Sequence, residues 1–180
     1  VKKALLVIDV QQALFVAVQP PYEAQSVIRN INQVIAWARV NKIPIIYIQH
    51  DRPDTPLAYQ SAGWTLANGL EHQSTDFYIR KNSPDSFLRT DLKALLDQHA
   101  IEHLIICGYA TEFCVDTTVR KAASLGYHIE LVADAHTTHD KPHASAQVIR
   151  KHHNAILPQL TSFDVPIKAL PASELVASSV

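Results

Sequence analysis

The sequence predicts an α/β fold with a three-layer α/β/α, Rossmann-like arrangement, and three observations carry that expectation. Short β-branched apolar runs alternate with amphipathic segments along the whole chain, the order that gives parallel strands joined by helical crossovers. The 180 residues suit one domain, 1–180, large enough to hold its own core. Hydrophobic residues make up 47% and the formal net charge is −1, which excludes a disordered chain. Right-handed crossovers then restrict the topology to a few doubly wound arrangements.

The elements follow in order. Lys3 to Ile8 is an apolar run ending at Asp9, as expected of a strand buried on both faces. Lys2 and Lys3 before Ala4 imitate a signal peptide, but Asp9, Gln11 and Gln12 break the run at once. Val27, Ile28, Ile31, Val34, Ile35 and Ala38 recur at helical spacing, predicting a helix over 23–40. Ile43 to Ile48 is the second strand. His50 to Ser74 contains Pro53, Pro56, Gly63, Trp64 and Gly69 without a period; so long a loop suits a lid or binding wall. Asp76 to Arg80 is a third strand, and Leu88, Leu92, Leu95 and Leu96 mark a helix. His103 to Cys107 is a fourth strand, closed by Gly108. Thr111 to Leu125 is a helix stopped at Gly126. Tyr127 to Ala133 is a fifth strand, Ser145 to Leu157 a helix before Pro158, and Phe163 to Ile167 a sixth strand interrupted by Pro166.

Composition narrows the partners. Lys plus Arg number 16 against 17 Asp plus Glu, without the basic excess of a nucleic-acid binder. No apolar run reaches the roughly 20 residues of a membrane span. Two cysteines, Cys107 and Cys114, are too few for a disulfide framework and favour a reducing, cytoplasmic compartment. The expected partner is a small-molecule substrate.

In open parallel sheets, ligands bind beyond the carboxyl ends of the strands, where the winding reverses. Asp9 ends the first strand, Asp51 follows the second, and Lys81 ends the third. Cys114 follows the fourth in the first turn of a helix, and Asp134 and His136 follow the fifth. Asp9, Lys81 and Cys114 thus meet at one rim. A cysteine attacks as its thiolate, which a helix start and a lysine both favour. A carboxylate can take the thiol proton and later deliver it to a leaving amine. Backbone N–H groups at the helix start can hold an oxyanion. The set has the parts of an acyl-transfer centre. The bland alternative is a polar strand end, a buried filler cysteine and a solvated lysine.

Three segments resemble the isochorismatase-like cysteine hydrolases, the superfamily of nicotinamidases, N-carbamoylsarcosine amidases and isochorismatases. Leu5 to Gln11 with Phe15 is similar to the family's first strand and catalytic Asp. Arg80 to Phe87 is similar to its catalytic Lys segment. Ile105 to Val115 is similar to its nucleophile motif, continuing through Thr118, Arg120, Gly126 and Asp134-Ala135. The resemblance implies strand order 3-2-1-4-5-6, Cys114 as nucleophile, Asp9 as base and acid, and Lys81 as supporting cation. It also implies a cis peptide between Tyr109 and Ala110, with the N–H groups of Ala110 and Cys114 aimed at the oxyanion. It implies a homo-oligomer, a dimer or larger. One departure matters: Asp51 is followed by Arg52 and Pro53, so the Asp-x-His of metal-dependent nicotinamidases is missing. Neither a metal nor another cofactor is expected. The retained Cys114 favours cleavage of a small amide or ureide C–N bond over vinyl ether hydrolysis or nicotinamidase activity.

Phe15, Trp64, Phe87, Tyr109 and Phe113 are the aromatic candidates for a substrate pocket, core packing being the rival for Phe15 and Phe87. His136, His139 and His143 suit a rim better than a metal, because Pro142 breaks any helical face between them. His152 and His153 are structural, and Cys107 is an inert buried thiol. Three other functions compete. With four glycines and no Gly-x-Gly-x-x-Gly turn, a dinucleotide site is excluded. A phospho-accepting switch would need an acidic residue where Lys81 stands. A catalytically idle binding protein would not need all of Asp9, Lys81 and Cys114.

Overall fold

The computed structural model describes residues 1–16 and 18–177. Six strands form one sheet: β1 (Lys3–Ile8), β2 (Ile45–His50), β3 (Phe77–Lys81), β4 (His103–Tyr109), β5 (His128–Thr137) and β6 (Ile167–Leu170). Their order is β3-β2-β1-β4-β5-β6, and every pairing is parallel. The winding reverses between β1 and β4, where Ile8 lies opposite Gly108.

Side chains alternate across a strand, so each strand feeds two cores. Ala4, Leu6, Ile8, Ile46, Ile48, Leu104 and Ile106 face one side. There they meet Leu92 and Leu96 of α3 (Leu92–Gln98) and Val119, Ala122 and Ala123 of α4 (Asp116–Ser124). Leu5, Val7, Ile45, Tyr47, Ile105 and Cys107 face the other. They are covered by α2 (Ala24–Val40) and α6 (Ala172–Ala177). On α2 the expected stripe of Val27, Ile31, Val34, Ile35 and Ala38 is fully buried, and Ile28 at its edge is partly buried. Between β5 and the first turn of the nucleophile helix packs α5 (Ala146–Ile156), its first turn capped by Ser145 Oγ, which accepts from the Val148 N–H.

Two short helices and three strand boundaries depart from the sequence expectation. A four-residue helix, α1 (Gln12–Phe15), follows β1, and α6 closes the described chain. β2 runs to His50 rather than Ile48. β5 continues past Ala133 to Thr137, because a bulge sets Leu131 opposite Ile106 but His136 opposite Gly108. The sixth strand begins at Ile167, where its expected span ends. Thr161–Phe163 is a 3₁₀ turn, Asp164 is left-handed at φ 58, and Pro166 offers only its carbonyl, to the Ile129 N–H.

Gly108 makes the switch point possible. Its φ is +122, and a Cβ there would stand 2.0 Å from the Ile8 carbonyl oxygen. Only glycine lets β4 approach β1 at this level. The loop over 51–76 folds back on the end of β1: Gln12 and Ala13 donate backbone N–H groups to the Thr65 and Gly63 carbonyls. No helix among the described residues is long and apolar enough to cross a membrane.

Candidate active site

Strand parity assembles the site. Ile46 and Ile48 precede His50 in β2, and Phe77 and Ile79 precede Lys81 in β3, all toward the side that carries Cys114. His50 and Lys81 are partners in the β2–β3 register. Asp9 follows β1 at φ 52, a left-handed conformation that Asp and Asn tolerate better than other side-chain-bearing residues. The chain there turns sharply, and the carboxylate is 1% exposed.

Cys114 arrives from β4. After a cis peptide between Tyr109 and Ala110, Thr111–Val115 forms a π turn, closed by the Val115 N–H on the Ala110 carbonyl. Such one-turn π segments recur at functional sites. α4 continues the turn and carries Thr118, whose hydroxyl lies 2.8 Å from Ser86 Oγ. The segment after β3 is thereby tied to the nucleophile helix.

Lys81 is the hub. Its Nζ lies 2.8 Å from Asp9 Oδ2, 3.0 Å from the Ser83 carbonyl, 3.0 Å from His50 Nδ1 and 3.3 Å from Cys114 Sγ. The structure thus brings Asp9, Lys81 and Cys114 together, as the sequence leads one to expect. Sequence reasoning passed over His50 in favour of Asp51, which turns away to accept the Tyr59 N–H and to pair with Arg80. The available signal was register: His50 ends the strand that lies between Asp9 and Lys81.

The thiol differs from expectation. Burial pushes Cys114 up to about 12, the Asp9 charge adds to the rise, and Lys81 opposes it. In this closed centre the loss of hydration outweighs the lysine, which favours the protonated thiol. His50 is lowered by burial and by the Lys81 charge, so its imidazole is neutral and can accept from the ammonium. The Asp9 Oδ1 atom is buried without a hydrogen-bond partner, and a carboxylate oxygen of Asp9 lies within 4.8 Å of Cys114 Sγ.

Asp9, His50 and Cys114 have ligand-type atoms within 4.8 Å of one another. The Lys81 ammonium lies within hydrogen-bond distance of all three, in the place a cation would take. The donor set therefore fits an ammonium rather than a metal ion. Cys107 sits in the opposite core and points its Sγ at the Leu6 carbonyl, and burial alone raises its thiol.

Gln11 was not anticipated as a support, and His136, expected at a rim, is fully buried. Gln11 donates to the His50 and Trp64 carbonyls and accepts the His50 N–H, tying β1, β2 and the long loop together. His136 bridges Thr111 Oγ1 and Asn154 Oδ1, each at 2.8 Å, while Asn154 donates to the Ala133 carbonyl. The directions are forced. The Asn154 amide oxygen can only accept, so His136 donates from Nε2 and accepts from Thr111 at Nδ1. His136 is held down to about 4 by burial, so it stays neutral. Asp134 is a helix cap, accepting the Ala172 N–H.

The aromatic candidates separate. Tyr109 stands edge-on to Phe15 at 6.0 Å and shares a hydrogen bond with His139. Phe15 also lines a cavity of about 650 Å³ with Val16, Pro20, Pro21 and Asn68. Phe87 is 7% exposed and stacks on Tyr127, a core position. Trp64 meets Tyr59 edge-on, and its Nε1 is buried without a partner. Phe113 is 53% exposed under the Lys141 ammonium.

Comparison with known proteins agrees with this architecture. A streptothricin hydrolase of Streptomyces noursei is 36% identical over 143 residues, covering 79% of this chain and 52% of that protein. The chain thus spans about half the length of that relative. A ureidoacrylate amidohydrolase of Klebsiella pneumoniae is 29% identical, covering 81% of this chain and 77% of that protein. A crystal structure of an isochorismatase family protein superposes with a TM-score of 0.86 at 38% identity, covering 93% of this chain and 97% of that one. The N-carbamoylsarcosine amidase of Thermoplasma acidophilum shares the fold at a TM-score of 0.75 and 20% identity. The isochorismatase domain model matches residues 3–161, and the chain belongs to that family.

Proposed function

We propose that this chain is a cysteine hydrolase that cleaves a C–N bond of a small amide or ureide through a thioester on Cys114. The observation that carries the reading is the Lys81 ammonium within hydrogen-bond distance of both Asp9 and Cys114. Asp9 takes the Cys114 proton on its unpartnered Oδ1 as sulfur attacks the substrate carbonyl. The oxyanion is held by the N–H groups of Ala110 and Cys114. As the C–N bond breaks, Asp9 returns the proton to the departing nitrogen, and ammonia or an amine leaves. Water then attacks the thioester carbonyl and gives one proton to Asp9, which passes it to the sulfur as the acid is released.

Because burial and the Asp9 charge favour the protonated thiol, Asp9 is the base that takes its proton during the attack. The two relatives named as a streptothricin hydrolase and a ureidoacrylate amidohydrolase support C–N chemistry. Tyr109, just before the nucleophile turn, and Phe113, within it beside Cys114, are the aromatic candidates nearest the nucleophile in the chain.

The test is an ammonia-release screen over small amides and ureides, with the acyl-enzyme trapped by mass spectrometry. The expected result is an acyl adduct on Cys114 and no release from Cys114→Ala. Release that persists in Cys114→Ala, or activity on vinyl ethers alone, overturns the reading.

A further inference from the structure

The hydrogen-bond count around Lys81 does not balance. An ammonium has three N–H donors, and four acceptors surround this one. Two are fixed. Asp9 carries the opposite charge and is buried, and the Ser83 carbonyl belongs to a residue only 8% exposed. His50 Nδ1 at 3.0 Å and Cys114 Sγ at 3.3 Å are left for the third N–H. A neutral thiol is a poor acceptor and a thiolate a strong one. The share of this N–H that reaches sulfur therefore bears on how readily the thiolate forms.

His50 is also the open side of the cluster. Asp9, Lys81 and Cys114 are 1%, 3% and 9% exposed, while His50 is only partly buried. Its ring lies close enough to sulfur that a group bonded to Sγ reaches it. We propose that His50 is a positioning residue that competes with Cys114 for one Lys81 N–H, and that a substrate N–H bonding to the imidazole releases that donor to the sulfur. The proposal rests on the acyl-transfer reading above and extends it to substrate choice. An amide or ureide N–H takes Nδ1, the ammonium turns to sulfur, and the proton leaves for Asp9. A carbonyl compound without an N–H leaves the thiol in its resting form.

The test needs no physiological substrate. Alkylation of Cys114 is followed by mass spectrometry with iodoacetamide, which carries N–H donors, and with its N,N-dimethyl analogue, which has none. Each rate is normalised to a free thiol. Wild type is expected to favour iodoacetamide by about tenfold, the size of one hydrogen bond to a charged group. His50→Leu is expected to lose the preference by reacting about tenfold faster with the dimethyl reagent. His50→Asn puts an amide oxygen near the place of Nδ1 and is expected to behave as wild type. His50→Gln puts it near Nε2 and is expected to behave as His50→Leu. The Asn and Gln pair decides the matter even where His50→Leu fails to fold. Equal preference in all variants, or slower reaction of His50→Leu with both reagents, overturns the role of His50. Wild-type Cys114 that labels no faster than Cys107 defeats instead the acyl-transfer reading beneath it.

Discussion

Replacing Lys81 with Met removes the ammonium and keeps the stem's length. Its partner carboxylate lies 2.8 Å away, and the two side chains are 0% and 2% exposed. At an effective dielectric of about 20, the attraction at that distance is about 6 kcal/mol. Desolvation offsets part of it in the intact pair, but a lone buried carboxylate keeps its cost and loses its partner. Breaking such a pair typically costs about 3–5 kcal/mol. The Ser83 carbonyl loses its donor as well. Urea unfolding at pH 7 should therefore show Lys81→Met less stable by about 3–5 kcal/mol. Adding Asp9→Asn should restore most of that loss, because a neutral amide no longer needs the cation, and Asn tolerates the left-handed φ of 52. Asp9→Asn alone should cost less than Lys81→Met alone, since Cys114 can ionise and supply Lys81 with a new anion. A loss below about 1 kcal/mol for Lys81→Met, the range of exposed ion pairs, would refute the reasoning, as would additivity of the two substitutions.

Three further outcomes follow from the same geometry. Asp9→Asn should lower the Cys114 titration below about 12, because the Asp9 charge raises it; thiolate absorbance against pH measures this, and turnover should fall about 10²–10⁴-fold with the general base gone. Gly108→Ala should cost about 3 kcal/mol or more in urea unfolding, because its Cβ would lie 2.0 Å from the Ile8 carbonyl oxygen at a φ of +122. His136 resists protonation when folded, falling from 6.5 to about 4, while the unfolded chain protonates near 6.5; its contribution is complete above pH 6.5 and is lost as pH falls from there through about 4. The amount is about 3 kcal/mol, and a stability-versus-pH series in which His136→Gln loses as much as wild type would contradict it.

The sheet, and the meeting of Asp9, Lys81 and Cys114 at its rim, were legible because the signals behind them are long or stereotyped. The run from Ala4 to Ile8 has every member buried, and α2, which carries the buried stripe, is 17 residues long. Where the expectation failed, the signal was shorter than its period or lay in tertiary contacts. α1 has four residues and α6 six, too few to display a helical face. The β5 bulge arises from pairing with β4, which a local pattern does not contain. His50 escaped notice because β2 extends two residues past its apolar run, and only register with Lys81 reveals its place. The upward shift of the thiol was illegible for a different reason: how deeply a cysteine is buried is decided by the neighbours it acquires.

His50 and Lys81 share a face because each closes its strand in the same phase. That phase is a matter of chain length and not of residue type. Trimming one residue from the interior of β2 would turn His50 toward the Tyr47 side, however well the apolar composition were kept. Divergence in this chain can therefore rewrite the interiors of these strands freely in letters, while gaps and insertions must be confined to the loops beyond the rim.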